Sequence, residues 1–146
     1  LSRANAEKEK VSDRATFIQG DIFKTDFSQA NVITLYLLTS LNAKLRPTIL
    51  EMRPGTRVAS NSFDMGEWRP DTTVNGFDGC QYCTAHYWMV PARVAGTWKL
   101  PNGELRLQQR FQVVNGTAVI DGKEVPVTDG KLTGAEISFT AGEISP

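Results

Sequence analysis

The sequence predicts an α/β region followed by an antiparallel β extension. In the first half, apolar segments follow one another in the order strand, helix and strand, with short loops between them. In the second half, helical periodicity disappears, and dipeptides of Asn or Asp followed by Gly separate short alternating segments. The character changes near Pro70, so we predict two regions, 1–69 and 70–146. With 40% apolar and 22% charged residues, the composition is that of a folded globular protein.

The first region is expected to begin with a short helix and two strands. Residues 1–11 carry small or apolar residues among charges and contain no Gly or Pro, which predicts a weakly amphipathic helix end. Thr16–Gln19 is a β-branched and aromatic run between turn residues, which predicts a short strand. Val32–Leu37 lies in an almost continuously apolar run, which is typical of a parallel strand covered on both faces.

A longer helix and a further strand complete this region. Ser40 is in position to cap the helix, because its hydroxyl can accept a hydrogen bond from a first-turn amide. Pro47 is expected to kink the helix or to restart it as a new first turn. Pro54-Gly55 ends the pattern, and Thr56–Phe63 predicts the next strand. The apolar face of the helix consists of Leu41, Leu45, Ile49 and Met52.

The second region is predicted to be a β-meander of about five strands. Its clearest strand is Leu105–Val114, in which one face is apolar except for Gln109 and the other is polar. Two tyrosines and two tryptophans are expected to fill the core between meander and sheet, namely Tyr82, Tyr87, Trp88 and Trp98. The dipeptides that predict hairpin turns are Asn75-Gly76, Asp78-Gly79, Asn102-Gly103, Asn115-Gly116, Asp121-Gly122 and Asp129-Gly130.

Charge and apolar run length argue against two classes of function. Lys and Arg number 16, as do Asp and Glu, so no electrostatic footprint indicates a nucleic-acid partner. No apolar run approaches the roughly 20 residues that a membrane span requires. The sequence begins with Leu1 in a charged segment and shows no signal peptide, which leaves the cytoplasm as the default compartment.

Two cysteines and the only histidine lie close together, as in some metal sites. A structural zinc site needs four ligands, normally from two such pairs, and a second pair is missing from the sequence. Strand alternation would place Cys80 and His86 on one face and Cys83 on the other. We therefore predict no metal site, two ordinary thiols and a structural role for His86, and we assign no catalytic residue.

A series of motifs in the first region carries a family resemblance. The predicted strand before Gly20-Asp21 is followed by Leu35–Leu38, then Leu41-Asn42 with Leu45–Pro47, then Arg53–Val58 and Phe63–Trp68. Their types and order resemble the second half of a class I S-adenosylmethionine-dependent methyltransferase, in particular a bacterial subgroup. The resemblance extends more loosely into Val90–Trp98. It implies the C-terminal part of a Rossmann-like methyltransferase sheet, followed by the β-meander, and methyl transfer to an acceptor that it does not name.

The same resemblance implies a set of cofactor-binding residues. In the family, the strand that ends in Gly-Asp brings a carboxylate near the adenine of S-adenosylmethionine, which implies this role for Asp21. Ile22 and Phe23 resemble the apolar pair that packs against the ring. The next strand of the family ends at the site of methyl transfer, which implies that Tyr36 and Leu37 line that site.

Three further residues are candidates for binding the acceptor. Thr39 follows the strand that the resemblance places at the methyl-transfer site. Asp64 and Glu67 lie on a loop just beyond the carboxyl end of a predicted strand, where α/β sheets bind ligands. An alternative is a non-enzymatic binding or interaction module, since Gly96-Thr97-Trp98 is similar to the Gly-x-Trp opening of lipocalin-like proteins.

Two elements of a complete cofactor site are missing from the sequence. They are the Gly-rich turn that approaches the carboxypropyl end of the cofactor and the acidic residue that holds its ribose. We therefore expect a truncated domain that binds S-adenosylmethionine weakly or not at all. In the sheet of the family, two strands that this sequence lacks lie side by side between the strands that correspond to Thr16–Gln19 and Val32–Leu37. Either these strands belong to the same molecule, upstream of Leu1, or a second copy of the chain completes the sheet as a homodimer.

Overall fold

The computed structural model describes residues 1–142, which contain two helices and nine strands in two sheets. Neither helix in this range is long and apolar enough to cross a bilayer. The elements in chain order are α1 (Ser2–Lys8), β1 (Val32–Leu35), α2 (Thr39–Leu50), β2 (Arg57–Asn61), β3 (Thr72–Phe77), β4 (Cys80–Met89), β5 (Gly96–Leu100), β6 (Gly103–Arg110), β7 (Val113–Ile120), β8 (Lys123–Thr133) and β9 (Glu136–Ala141).

The first sheet has four strands in the order β1-β2-β4-β3. β1 and β2 are parallel and are joined by α2, which confirms the predicted order of strand, helix and strand. β4 pairs antiparallel with both β2 and β3. β1 forms an edge of this sheet. The side chain of Val32 on this strand is 48% exposed, so the expectation that both faces of the strand are covered is wrong. An edge strand has a neighbour on only one side, which leaves its other side open.

The helix α2 buries its apolar face against this sheet. Leu45 and Ile49 are almost completely buried, and Met52 is buried just beyond the end of the helix, whereas Leu41 at its start is 37% exposed. The predicted cap is wrong, because Leu38 occupies the N-cap position and no side chain caps the helix. The first cluster of buried apolar residues comprises Leu45, Ile49, Met52, Val58, Met65, Trp68, Trp88 and Val90.

The predicted strand Thr16–Gln19 is absent. No strand of the described residues pairs with it, and the carbonyl of Phe17 instead accepts a 3.4 Å hydrogen bond from the Arg3 side chain. Ile18 is 75% exposed. β-branched and aromatic side chains favour an extended chain, but a strand also needs a neighbour for its backbone hydrogen bonds. Within residues 1–142 this segment has no such neighbour, so it remains a loop.

The second sheet has five strands in sequence order, from β5 to β9, each antiparallel to the next. The mixed α/β and β-rich character predicted from the sequence is therefore confirmed. The second cluster of buried apolar residues belongs to this sheet and comprises Leu107, Val114, Ala118, Val125, Val127 and Leu132.

The predicted strand Leu105–Val114 is interrupted in the structure. β6 ends at Arg110 and β7 begins at Val113, so Phe111 and Gln112 form a two-residue turn. Phe111 has a φ of 56°, a left-handed conformation that is uncommon for a bulky residue. Both turn residues contact other parts of the protein, because Phe111 packs against the first cluster and Gln112 is 8% exposed. Tertiary packing thus places a turn where the sequence carries no turn residues.

The six Asx-Gly dipeptides divide into two kinds. Asp78-Gly79, Asn102-Gly103 and Asp121-Gly122 lie at hairpin turns, as predicted. The other three lie inside strands, where the pairing register shifts, namely Asn75-Gly76, Asn115-Gly116 and Asp129-Gly130. Positive φ is as useful at a β-bulge as at a turn, so the dipeptide alone does not distinguish the two.

The β3–β4 hairpin corrects two further expectations. Cys80 and Cys83 form a disulfide, with Cα atoms 5.4 Å apart, rather than two free thiols. The register shift at Gly76 allows this pairing, because three residues of β4 lie opposite it. Of the four aromatic residues expected in the core, only Trp88 is fully buried, whereas Tyr82 is fully exposed and Trp98 is half exposed.

Candidate functional site

The candidate site lies at the carboxyl ends of the parallel strands β1 and β2. Tyr36 follows β1 and Phe63 follows β2, and their ring centroids are 6.1 Å apart. The Tyr36 side chain is 71% exposed, and the two rings are tilted by 32° relative to each other. Leu37 is partly buried against the first cluster, and Thr39 is exposed at the start of α2. The edge therefore presents an aromatic surface to solvent.

A strained residue begins the loop that carries Phe63. Ser62 has a φ of 66°, and its amide donates a 2.7 Å hydrogen bond to the carbonyl of Thr84 on β4. The Phe63 amide donates to the carbonyl of Asn61 over 2.8 Å, which closes a tight turn. A left-handed non-glycine residue costs about 1–3 kcal/mol and persists only where its surroundings fix it. The strain turns the chain sharply just beyond β2.

The side chain of Asn42 on α2 binds the backbone of this loop. Its side chain is fully buried, and its Nδ2 donates to the carbonyls of Phe63 and Asp64 over 3.2 and 3.0 Å. The same nitrogen lies 3.2 Å from the Ser60 hydroxyl. The Asp64 carboxylate accepts the amide of Gly66 over 3.0 Å. These contacts fix the backbone on which Asp64 is placed.

The second sheet holds the far end of the same loop through the β6–β7 turn. Glu67 forms a 3.2 Å ion pair with Arg110, and the Trp68 ring stacks on Phe111 with centroids 6.1 Å apart. The Arg46 guanidinium lies 5.3 Å from the Phe111 ring centroid and donates to the carbonyl of Met65 over 2.9 Å. The loop Phe63–Trp68 is thus clamped between α2 and the turn.

The predicted adenine-binding residues lie in an exposed turn. The Phe23 amide donates to Oδ1 of Asp21 over 3.0 Å, so the carboxylate stabilises its own turn. Ile22 and Phe23 are 43% and 38% exposed. The ammonium of Lys44, on α2, lies 4.2 Å from the centroid of the Phe23 ring, which brings this turn to the same helix that supports the loop.

The structure brings together some of the predicted site residues but not all of them. Tyr36, Thr39 and Asp64 lie at the carboxyl ends of β1 and β2, whereas Glu67 forms its ion pair with Arg110. His86 lies on β4, where its Nδ1 is 3.0 Å from the hydroxyl of Thr73. No group of residues within 1–142 has the geometry of a metal site.

Sequence reasoning missed the residues that support the site. Asn42 lies three residues before Leu45 and seven before Ile49, on the apolar face of α2, and a polar residue in that position indicates a buried hydrogen bond. Arg46 and Lys44 gave no comparable signal. Their partners, Phe111 and Phe23, become neighbours only through the tertiary fold.

The residues present fit one part of an adenosyl cofactor. The exposed rings of Phe23 and Tyr36 offer apolar faces, and the carboxylate of Asp21 is exposed and can accept a further hydrogen bond. The Gly-rich turn that would hold the amino-acid end of such a cofactor is missing from the 146 residues. The residues present therefore fit the adenine and the methyl-bearing end of the cofactor, but not its amino-acid end.

Three comparisons with known proteins agree on a family. Residues 1–72 match the ANTKMT methyltransferase domain. A protein-lysine N-methyltransferase of Saccharolobus islandicus (strain REY15A) is 38% identical over 88 residues, which make up 60% of this chain and 55% of that protein. The crystal structure of an RNA methyltransferase from Salinibacter ruber, in complex with S-adenosyl-L-homocysteine, has a TM-score of 0.58 and 47% identity. That similarity covers 64% of this chain and 59% of the other.

These matches confirm the resemblance to class I S-adenosylmethionine-dependent methyltransferases that the motifs of the first region carry. The chain spans about half the length of the curated relative and somewhat more of the structural one.

Proposed function

We propose that this chain supplies the part of an S-adenosylmethionine-dependent methyltransferase that binds the adenine of the cofactor and the methyl acceptor. The proposed acceptor is a lysine-like amine. The observation that carries the proposal is the exposed Tyr36 ring, which lies against Phe63 at an interplanar angle of 32° at the carboxyl ends of β1 and β2. It lies within the part of the chain that matches methyltransferases. α/β sheets bind their ligands at this edge.

The cofactor would contact the turn after Gly20 and the end of β1. Asp21 would accept a hydrogen bond from the exocyclic amine of adenine, while Ile22 and Phe23 would cover the ring. Tyr36 and Leu37 would line the reacting end. The cofactor would supply an electrophilic methyl group, and the role of these side chains is to hold it in line with the acceptor.

An amine acceptor fits the chemistry of the edge. The Tyr36 and Phe63 rings offer faces that attract a cationic ammonium, and Asp64 offers a carboxylate nearby in the same loop. Transfer would require the ammonium first to lose a proton to solvent, so that the nitrogen lone pair could form the new C–N bond as the methyl group leaves the sulfonium sulfur of the cofactor. The Saccharolobus relative bears the name of a protein-lysine methyltransferase. The balanced charge of the chain favours a protein acceptor over RNA.

Cofactor binding tests the first half of the proposal. We expect the 146-residue chain to bind S-adenosylmethionine weakly or not at all in calorimetric titration. A chimaera that places the Gly-rich first half of a class I domain before Leu1 should bind it, and Asp21→Ala should weaken that binding about tenfold. Asp26→Ala is a matched control, because Asp26 accepts the amide of Ser28 over 2.9 Å in an equivalent turn. Equal effects of the two substitutions would refute the adenine assignment.

Methyl transfer tests the second half. With labelled cofactor, the chimaera should methylate a lysine-containing peptide, and Tyr36→Ala should reduce kcat/KM about tenfold or more. Tyr82→Ala, which removes a fully exposed tyrosine on the β3–β4 hairpin, should leave the rate unchanged. Transfer to RNA and not to the peptide would overturn the proposed acceptor.

A further inference from the structure

A small cavity lies at the amino ends of β1 and β2, at the opposite end of these strands from the candidate methyl-transfer site. Its volume is about 270 Å³, and its lining contains two arginines and no acidic residue. The lining residues are Asn31, Arg53, Pro54, Gly55, Thr56 and Arg57.

The cavity is built on a β-turn that Asn31 fixes at both ends. The amide of Thr56 donates to the carbonyl of Arg53 over 3.0 Å, and Gly55 has a φ of 91°, as the third residue of a type II turn requires. The Asn31 side-chain oxygen accepts a 2.8 Å hydrogen bond from Nη2 of Arg53. Its backbone carbonyl accepts the amide of Arg57 over 3.0 Å. Asn31 therefore positions the side chain of Arg53 and the backbone of Arg57 on the same cavity.

The two guanidinium groups have no counter-ion within residues 1–142. Four of the nine arginines of this range form ion pairs with carboxylates, and Arg53 and Arg57 are among the five that form none. Two like charges on one small cavity repel each other, and an anion bound between them would offset this repulsion by attracting both. The remaining guanidinium donors are free to bind such an anion by paired N–H···O bonds.

We propose that this cavity binds the phosphate group of a small molecule. Arginine binds phosphate oxygens bidentately, and both arginines line the same cavity. A nucleic-acid backbone would require a longer basic stripe, and two cations in a chain with no net charge do not form one. The site is separate from the methyl-transfer edge, so the two proposals stand or fall independently.

Titration of the full chain tests the proposal. Binding of inorganic phosphate, of a small phosphate monoester such as glycerol phosphate, and of unphosphorylated glycerol is followed by the amide resonances of Arg53, Gly55, Thr56 and Arg57. Saturable shifts are expected with the monoester at a dissociation constant of about 1 mM or below. Glycerol should cause none. A monoester that binds more tightly than inorganic phosphate would identify an organic phosphate as the ligand, and equal affinities would identify the free ion.

Substitutions locate the binding. Arg53→Gln and Arg57→Gln should each weaken phosphate binding about tenfold or more, and the double variant should abolish it. Arg69→Gln is the matched control, since Arg69 is also exposed and unpaired with a carboxylate within residues 1–142 but lies on a different cavity, which Arg110 also lines. Unsaturable shifts, or binding that survives both substitutions in variants with an unchanged melting temperature, would overturn the proposal.

Discussion

The two clusters of buried apolar residues are assembled in different ways. The first joins residues far apart in the sequence, from α2, β2, the loop after β2 and β4, and it contains two fully buried tryptophans, Trp68 and Trp88. The second is formed by successive hairpins and contains only aliphatic side chains. The comparison teaches that the first region depends on the volume and shape of large side chains. The second depends on backbone geometry at its turns and bulges.

The β6–β7 turn is where the two regions meet. Phe111 belongs to the second sheet by its backbone and to the first cluster by its side chain. The side-chain amide of Gln112 donates a 2.8 Å hydrogen bond to the carbonyl of Arg69, which directly follows the loop Phe63–Trp68. The candidate site is therefore supported by both regions.

Removal of a tryptophan from the first cluster should have the largest effect. Trp88→Ala should lower the free energy of unfolding by about 3–5 kcal/mol, because it empties a fully buried site. It also removes the 2.8 Å hydrogen bond from Trp88 Nε1 to the carbonyl of Trp68. Urea denaturation measures the loss. Trp98→Ala is the control, with an expected loss of about 1 kcal/mol because half of that side chain is exposed. Equal losses would contradict the dependence of the first cluster on its buried tryptophans.

A substitution that adds a single methyl group should test the second region. Gly103→Ala should cost about 2–3 kcal/mol, because its Cβ would overlap the carbonyl oxygen of Val119 on the paired strand β7. Gly122→Ala is the matched control at a hairpin turn, where no atom lies within 4 Å and only its φ of 77° opposes a side chain. It should cost about 1 kcal/mol. Thermal unfolding of both variants gives the comparison, which fails if the control is the more destabilised.

Substitutions of Phe111 separate packing from backbone strain. Phe111→Ala loses the contact with Trp68 but keeps a side chain at a φ of 56°, whereas Phe111→Gly loses the same contact and relieves the strain. We expect the glycine variant to be the more stable of the two by about 1 kcal/mol, and both to be less stable than the native chain. Chemical denaturation decides this. A glycine variant less stable than the alanine variant would show that the turn is not strained.

The smallest effect on stability is expected at the open edge of the first sheet. Val32→Lys should change the free energy of unfolding by less than about 0.5 kcal/mol, because the side chain is half exposed. We propose that a second copy of the chain pairs with this edge, and a charged edge strand opposes such pairing. Light scattering should therefore show association of the native chain that the lysine variant reduces. A native chain that stays at about 16 kDa at all concentrations would refute the pairing.

Elements whose determinants are local could be predicted from the sequence. The apolar face of α2 and the strands on either side of it follow from periodicity and length, and three Asx-Gly dipeptides lie at turns as expected. The loop conformation of Thr16–Gln19 could not be predicted, because a strand forms only where a partner strand is present, and the described residues contain none for this segment. The turn at Phe111 could not be predicted either, because its cause is contact with the first cluster.

The same division applies to the candidate site. Tyr36 was identified from the family resemblance and Asp64 from its position after a predicted strand, and the structure places them at the carboxyl ends of β1 and β2. Their roles in binding stay predictions. The buried Asn42 and the contact of Arg46 with Phe111 are products of long-range packing, and only the first left a trace in the helical pattern.

The position of Phe111 has a consequence for the time course of folding. Strands β5 to β9 pair with their neighbours in sequence, whereas β1 pairs across α2 and Arg57 pairs with Met89. Pairing between distant residues is slower, so the hairpins should form first. Trp68 can stack on Phe111 only after the β6–β7 turn has closed and the first sheet has assembled. Its fluorescence in a variant that keeps only this tryptophan would therefore report the last step, in which the two sheets meet.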